Sequence, residues 1–166
     1  MALPADRVDA DPHLFVTTNA AIELAGEPVI REPRREDLVT RRSGVEWRWN
    51  ATCPEWERFL TWAMCGSSAM VDYLKRAVGY SLTGDRSERV FFFLYGAGTN
   101  GKSTFLSVFR RLMGTYAVQM PPRLLLEAPG GGERHPTELA RLGGSRVVIG
   151  SDQAGTGSRW NEPLIK

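Results

Sequence analysis

Val90-Phe91-Phe92-Phe93-Leu94-Tyr95-Gly96-Ala97-Gly98-Thr99-Asn100-Gly101-Lys102-Ser103 is an apolar, aromatic-rich run closed by a glycine-punctuated loop. Its second half fits G-x-x-x-x-G-K-[ST] at every fixed position, a pattern that carries mechanical meaning only between a buried strand and a helix. The continuous apolar run over 90–95 predicts that strand, covered on both faces. Behind the loop, Phe105, Leu106, Val108, Phe109 and Leu112 recur at helical spacing up to Gly114, which suits a helix C-terminus. The helix start would then aim free N–H groups and its positive dipole end at a phosphate, with the glycines letting backbone close around it. Lys102 would reach the outer phosphates and the Ser103 hydroxyl would help hold Mg²⁺. A chance glycine-rich turn is the competing reading, and the strand-loop-helix context argues against it.

Further along, Arg146-Val147-Val148-Ile149-Gly150-Ser151-Asp152 is a short apolar strand ending in a carboxylate, 50 residues beyond Lys102. That suits the second strand of a nucleotide site, whose acid binds Mg²⁺ through water or polarises the attacking water. A buried strand followed by an Asp-containing turn is the plainer alternative. Lys102 and the metal would supply positive charge to oxygens that become more negative during phosphoryl transfer.

Composition narrows the setting. With 42% hydrophobic and 24% charged residues among 166, the chain reads as globular, and no apolar run approaches the roughly 20 residues of a membrane span. Met1 to Pro12 carries Asp6, Arg7, Asp9 and Asp11, is not a secretory signal and is expected to be disordered. Cys53 and Cys65 stand 12 positions apart without a nearby His pair, which argues for reduced thiols in a cytoplasmic protein. A net charge of +2 does not by itself demand a nucleic-acid partner. Arg31, Arg34, Arg35, Arg41 and Arg42 form the best candidate DNA-facing patch, but Glu32, Glu36 and Asp37 are interleaved, which favours an ion-paired surface.

Ahead of the loop, residues 13–87 read as a hairpin-plus-helix module. Leu14 to Thr18 is β-prone, and Ile22 to Leu24 and Pro28 to Ile30 flank a turn at Ala25-Gly26-Glu27. Val45-Glu46-Trp47-Arg48-Trp49 alternates, predicting a further strand whose Val45, Trp47 and Trp49 face the core; aromatic stacking platforms for single-stranded DNA are the alternative. Thr52-Cys53-Pro54-Glu55 has capping-box spacing, followed by Trp56, Phe59, Leu60 and Ala63 on one helix face. Ser67 or Ser68 can cap a second helix carrying Val71, Leu74, Val78 and Leu82 inward. After Gly114, a strand over 116–118, a loop at 129–132 and a helix over 137–142 are expected, with His135 read as a solvated loop residue.

Taken in order, the Gly79–Asp85 segment, Gly96 to Thr104, His135-Pro136-Thr137-Glu138-Leu139-Ala140-Arg141-Leu142 and Asn161-Glu162-Pro163-Leu164-Ile165-Lys166 resemble the phage- and plasmid-encoded primase-helicases of helicase superfamily 3, themselves similar to poxvirus-type replicative NTPases. The Ala51-Thr52-Cys53-Pro54 segment and the helices after it resemble the helical module preceding the ATPase in that family. The resemblance runs from about residue 12 to the end. It implies an α/β fold: an incomplete AAA+-like P-loop NTPase core over 88–166, cut after the second acidic motif and preceded by a small α+β and helical module. Carried over by motif, Gly96, Ala97, Gly98, Thr99, Asn100, Gly101, Lys102, Ser103 and Thr104 bind ATP, Lys102 and Asp152 are catalytic, and Ser103 and Asp152 hold Mg²⁺. Asp152 stands where those proteins usually carry Glu, one methylene longer, and Gln153 also departs from the family pattern. The complete protein would form a ring, usually a hexamer, on single-stranded DNA, with no membrane. In that family a sensor residue, a DNA-contacting hairpin and an arginine finger come after the second acidic motif and a primase domain commonly precedes the module, and none of these is expected within residues 1–166. The chain is therefore expected to be a helicase fragment without independent activity. An inactive assembly module and a small-molecule P-loop kinase are the competing functions.

Overall fold

The computed structural model describes residues 5–121, 140 and 142–150. The β-prone residues near the N-terminus form a three-stranded antiparallel meander, β1 (Leu14–Val16), β2 (Ala21–Glu23) and β3 (Val29–Arg31), in sequential order. The register sets Phe15 opposite Ile22 and Ile22 opposite Ile30, while Val16 lies opposite Ala21. Alternation therefore gives the sheet two apolar faces. Leu14, Val16 and Ala21 pack with Val39 on one face, and Phe15 and Ile22 join the main core on the other.

Helices α1 (Pro54–Ala63), α2 (Ser68–Leu82) and α3 (Lys102–Met113) follow. Pro54 occupies the first turn of α1, where its missing N–H costs no intrahelical bond. The N-cap there is Cys53, with no side-chain cap, so the expected Thr52 capping box is not formed. Ser67 caps α2, its hydroxyl accepting from Met70 N at 3.4 Å. After α3, a short 3-10 turn over Gly114–Tyr116 leads into β4 (Ala117–Met120), which pairs in parallel with β5 (Val147–Gly150). The parallel pair sets Ala117 opposite Val147 and Met120 opposite Gly150. The architecture is thus a mixed α/β arrangement in which the helix after the glycine loop is central.

Phe15 and Ile22 of the meander pack with Phe109, Met113 and Tyr116 from α3 and the turn after it, joined by Val78, Leu82, Leu112, Ala117 and Val147. The core consequently draws residues from both sides of residue 87. In an antiparallel pair, alternate residues turn their backbone groups away from the partner strand. On β1 those outward groups are met by other parts of the chain. Val16 N donates to the Tyr116 hydroxyl at 3.1 Å, Ser43 N donates to Val16 O at 2.8 Å, and Arg146 Nη2 donates to Leu14 O at 2.7 Å.

The segment around Ser43 also closes the end of α3. Its hydroxyl, in a residue 1% exposed, donates to Leu112 O at 2.5 Å, and Thr115 N donates to Arg42 O at 2.9 Å. Gly114 turns here at φ 55°, and a Cβ on it would lie 2.4 Å from Arg42 O, so only glycine fits this crossing.

Two expectations are corrected. The run over 90–95 forms no strand: it is irregular, with Val90, Phe91, Phe93 and Tyr95 exposed by 57%, 72%, 60% and 82%. A buried strand needs ladder partners for its N–H and C=O groups, and β4 and β5 pair with each other rather than with this segment. Phe92 instead meets Tyr73 of α2 edge-on at 6.5 Å. Val45 to Trp49 is likewise no strand, and Trp47 and Trp49 are surface residues rather than core, with Trp49 73% exposed. Here the Asn19 side chain brackets Trp47 in place of a neighbouring strand, its amide donating to Trp47 O at 3.0 Å and its oxygen accepting from Trp47 N at 2.8 Å. Within the N-terminal stretch, two contacts tie the chain to later segments. Asp9 accepts from Thr40 N at 2.7 Å and Pro12 O accepts from Gly84 N at 2.6 Å.

The glycine loop over 129–132, His135, Asp152 and the 161–166 segment lie outside the described residues, as does the helix expected over 137–142 apart from Ala140 and Leu142.

Candidate nucleotide-binding site

The loop over 96–101 is built on left-handed backbone. Gly96, Gly98, Thr99 and Gly101 take φ of 154°, 93°, 50° and 83°, a succession accessible because three of the four lack a Cβ. Gly101 is the N-cap of α3, and the helical ladder opens with Phe105 N donating to Gly101 O at 2.9 Å. The N–H groups of Lys102, Ser103 and Thr104 precede that ladder, at the positive end of the helix dipole. Ser103 and Thr104 are exposed, and Lys102 is half-buried.

Lys102 folds back over its own loop. Nζ donates to Gly96 O at 3.0 Å and to Asn100 Oδ1 at 2.7 Å, so its charge spans the two ends of the loop. The place where a Gly96 Cβ would stand is 1.9 Å from Asn100 Nδ2, which makes glycine a requirement of this closed arrangement. The sequence-predicted residues Gly96 to Thr104 are thus brought together as one exposed loop and helix start. Asp152 lies outside the described residues, so its relation to Lys102 is not part of this geometry. The supporting strand expected over 90–95 is absent, as described above.

The residues present suit an anion. Closely spaced positive-φ residues, an uncapped helix start and a lysine within reach are elements with which backbone cradles a phosphate. For a divalent metal, Ser103 and Thr104 offer hydroxyls; among the described residues, no three His, Cys, Asp or Glu side chains gather to hold an ion.

The sequence pattern did not signal what borders this loop. A Cβ placed on Gly101 would lie 2.8 Å from Phe59 Cε2 and 3.3 Å from Trp62 Cζ3, so the aromatic face of α1 abuts the start of α3. Trp56 of α1 stacks on Phe105 of α3 with ring centroids 5.8 Å apart. The 3.6-residue spacing of Trp56 and Phe59 marked them as an inward face, but the element they face could not be read from spacing.

The arginine cluster resolves into separate tasks. Arg31 donates from Nε to Glu23 at 2.6 Å and from Nη2 and Nη1 to the two oxygens of Asp37 at 2.7 and 2.9 Å. These bonds hold the Asp37 carboxyl below its usual range and push the Arg31 guanidinium up. Arg41 donates to Thr115 O at 2.7 Å and Gly143 O at 2.6 Å. Arg31 and Arg41 are therefore occupied with the protein itself. A separate open cavity of about 430 Å³ beside the end of α3 is lined by Gly44, Ser107, Arg110, Arg111 and Gly114, well along the helix from the loop.

Comparison with known proteins places the N-terminal part. Residues 1–65, which include the meander, the Ser43 segment and α1, match the family described as D5 N terminal like. A protein of Frog virus 3 (isolate Goorha) bearing the name "Putative helicase 022R" is 33% identical over 73 residues, 43% of this chain. The aligned stretch is 7% of that protein's length, so the chain corresponds to a small part of it. The two findings agree on a helicase-associated module. Among the described residues, no helix is long and apolar enough to cross a membrane.

Proposed function

We propose that residues 96–104 hold the triphosphate of ATP with Mg²⁺, and that the chain is the ATP-binding part of a DNA helicase of phage or plasmid replication. The observation that carries this reading is the set of positive-φ residues Gly96, Gly98, Thr99 and Gly101 leading to the uncapped start of α3, with Lys102 Nζ 3.0 Å from Gly96 O. The name of the Frog virus 3 relative and the D5-type match over residues 1–65 support its replication context.

In this reading the backbone of Gly96, Ala97, Gly98, Thr99, Asn100 and Gly101 wraps the phosphates, and an incoming phosphate takes Lys102 Nζ from Gly96 O and Asn100. Ser103 holds Mg²⁺, Thr104 adds a second hydroxyl, and Asp152 is the acid that completes the metal site and orients water. Bound Mg²⁺ supplies positive charge to the oxygens of the transferring phosphoryl group. Single-stranded DNA and a ring of identical subunits belong to the same proposal, for the complete protein.

Titration with Mg-ATP tests it. Binding that needs Mg²⁺ and weakens at least about tenfold in Lys102→Ala, with an unchanged melting temperature, is the expected result, since among the described residues the hydrogen bonds of Lys102 Nζ go to its own loop. No binding by the unmodified protein, or equal binding by the variant, would overturn the reading. The exposed, irregular 90–95 run favours a second reading, an assembly module without turnover. ATP binding with no hydrolysis, even when mixed with a full-length relative, would select it.

A further inference from the structure

Five aromatic rings run in file from the surface beside the glycine loop to the centre of the protein. Trp62 and Phe59 have centroids 6.1 Å apart, Phe59 and Trp56 5.1 Å, Trp56 and Phe105 5.8 Å, and Phe105 and Phe109 6.1 Å. Phe109 at the inner end is 9% exposed, whereas Trp62 at the outer end is 61% exposed. Positions 56, 59 and 62 recur every three residues, so one face of α1 carries the outer rings. The ladder is not needed at its outer end to close the core, because Phe109, Met113 and Tyr116 already do so.

What distinguishes Trp62 from the other exposed aromatics is its position. Its Cζ3 lies 3.3 Å from where a Cβ of Gly101 would stand, at the N-cap of α3. We propose that Trp62 is the platform on which the base of the bound nucleotide stacks. The inference rests on the nucleotide reading of residues 96–104. A triphosphate at the start of α3 carries its base only one ribose away, and α1 presents an open indole there, backed by Phe59, on which Trp56 stacks in turn. An indole face offers stacking area and no hydrogen-bond code, so the platform accepts any purine. Residues 54–63 thereby become part of the ligand site, and the helix preceding the loop senses whether it is filled.

The test separates base from phosphate. The intact chain and its Trp62→Ala, Trp62→Phe and Lys102→Ala variants are titrated calorimetrically with Mg-ATP, Mg-GTP and Mg-tripolyphosphate. Trp62→Ala is expected to weaken both nucleotides about tenfold, leave tripolyphosphate affinity unchanged, and be largely rescued by Trp62→Phe. Lys102→Ala weakens all three ligands. Unchanged ATP affinity in Trp62→Ala, an equal loss for tripolyphosphate, or an unmodified protein that binds ATP and tripolyphosphate alike would overturn the platform and leave the loop reading standing. Failure of the unmodified protein to bind any of the three would overturn both.

Discussion

Among the described residues Arg146 binds backbone rather than carboxylates: it donates to Leu14 O at 2.7 Å and to Leu82 O, and its guanidinium lies 4.5 Å from the Tyr116 ring centroid. Burial lowers the pKa of this guanidinium and raises that of the Tyr116 phenol, each because the charged form is disfavoured away from water. One side chain thus joins β1, the end of α2 and the Tyr116 turn. No local signal in Gly144-Ser145-Arg146 marks it, because the carbonyls it binds, Leu82 O and Leu14 O, lie 64 and 132 residues away. Ser43 is equally silent in sequence, since Arg42-Ser43-Gly44 reads as a polar loop until Val16 and Leu112 stand on either side of it.

Asp37 gives the residue-scale prediction. Its side chain is 10% exposed, and its pKa lies below the ordinary 3.8 because Arg31 binds its charged form. A depressed carboxylate contributes stability that is fully present above the unfolded value and fades as pH falls through the folded one. Urea denaturation followed from pH 5 to pH 2 is therefore expected to show a loss below about pH 4 that Asp37→Asn reduces by about 1 kcal/mol. Identical pH profiles for the two proteins would show that the pair contributes nothing.

Among the elements, those fixed by nearby residues were legible. The turn at 25–27 and its β2–β3 hairpin, the Ser67 cap and the α3 boundaries at Lys102 and Gly114 each follow from local chemistry. Elements that depend on distant partners were not. Val90 to Tyr95 has the composition of a buried strand, yet composition cannot provide the ladder that would bury it. Val45 to Trp49 alternates, but Asn19 rather than a strand satisfies Trp47. The loop against α1 is a similar long-range matter, and it predicts unequal effects for two glycines of the same motif. Ala at Gly98 meets no atom within 4 Å, whereas Ala at Gly101 meets the Phe59 ring at 2.8 Å, and both positions have left-handed φ. Each should cost about 1 kcal/mol for backbone alone, with Gly101→Ala losing roughly 1–2 kcal/mol more as α1 is pushed from α3. Chemical denaturation of both variants checks this. Equal losses would mean that α1 does not bear on the loop in solution.

For the whole molecule, the decisive feature is that the core is assembled across the glycine loop. Phe15 and Ile22 come from the N-terminal sheet, and Phe109, Met113 and Tyr116 come from the far side of the loop. The outward edge of β1 likewise depends on the Tyr116 hydroxyl and on Arg146. A piece comprising residues 1–87 would retain the meander, α1 and α2 but lose three of the five central core side chains. It would also leave Val16 N and Leu14 O without their described partners. Removing even one buried Phe or Met side chain costs about 2–5 kcal/mol, comparable with the whole stability of a small domain. The 1–87 piece is therefore expected to show no cooperative thermal transition and to bind a hydrophobic dye, while the intact chain melts in a single transition monitored by near-ultraviolet circular dichroism. A sharp transition in the short piece would mean that the D5-type part folds without α3, and that the contacts of Phe15 with Tyr116 at 5.0 Å form between preassembled parts. With the core shared, a ligand at residues 96–104 acts on α3, whose Phe109 and Met113 sit against the N-terminal sheet. Binding at the loop should then raise the melting temperature of the entire chain as one unit.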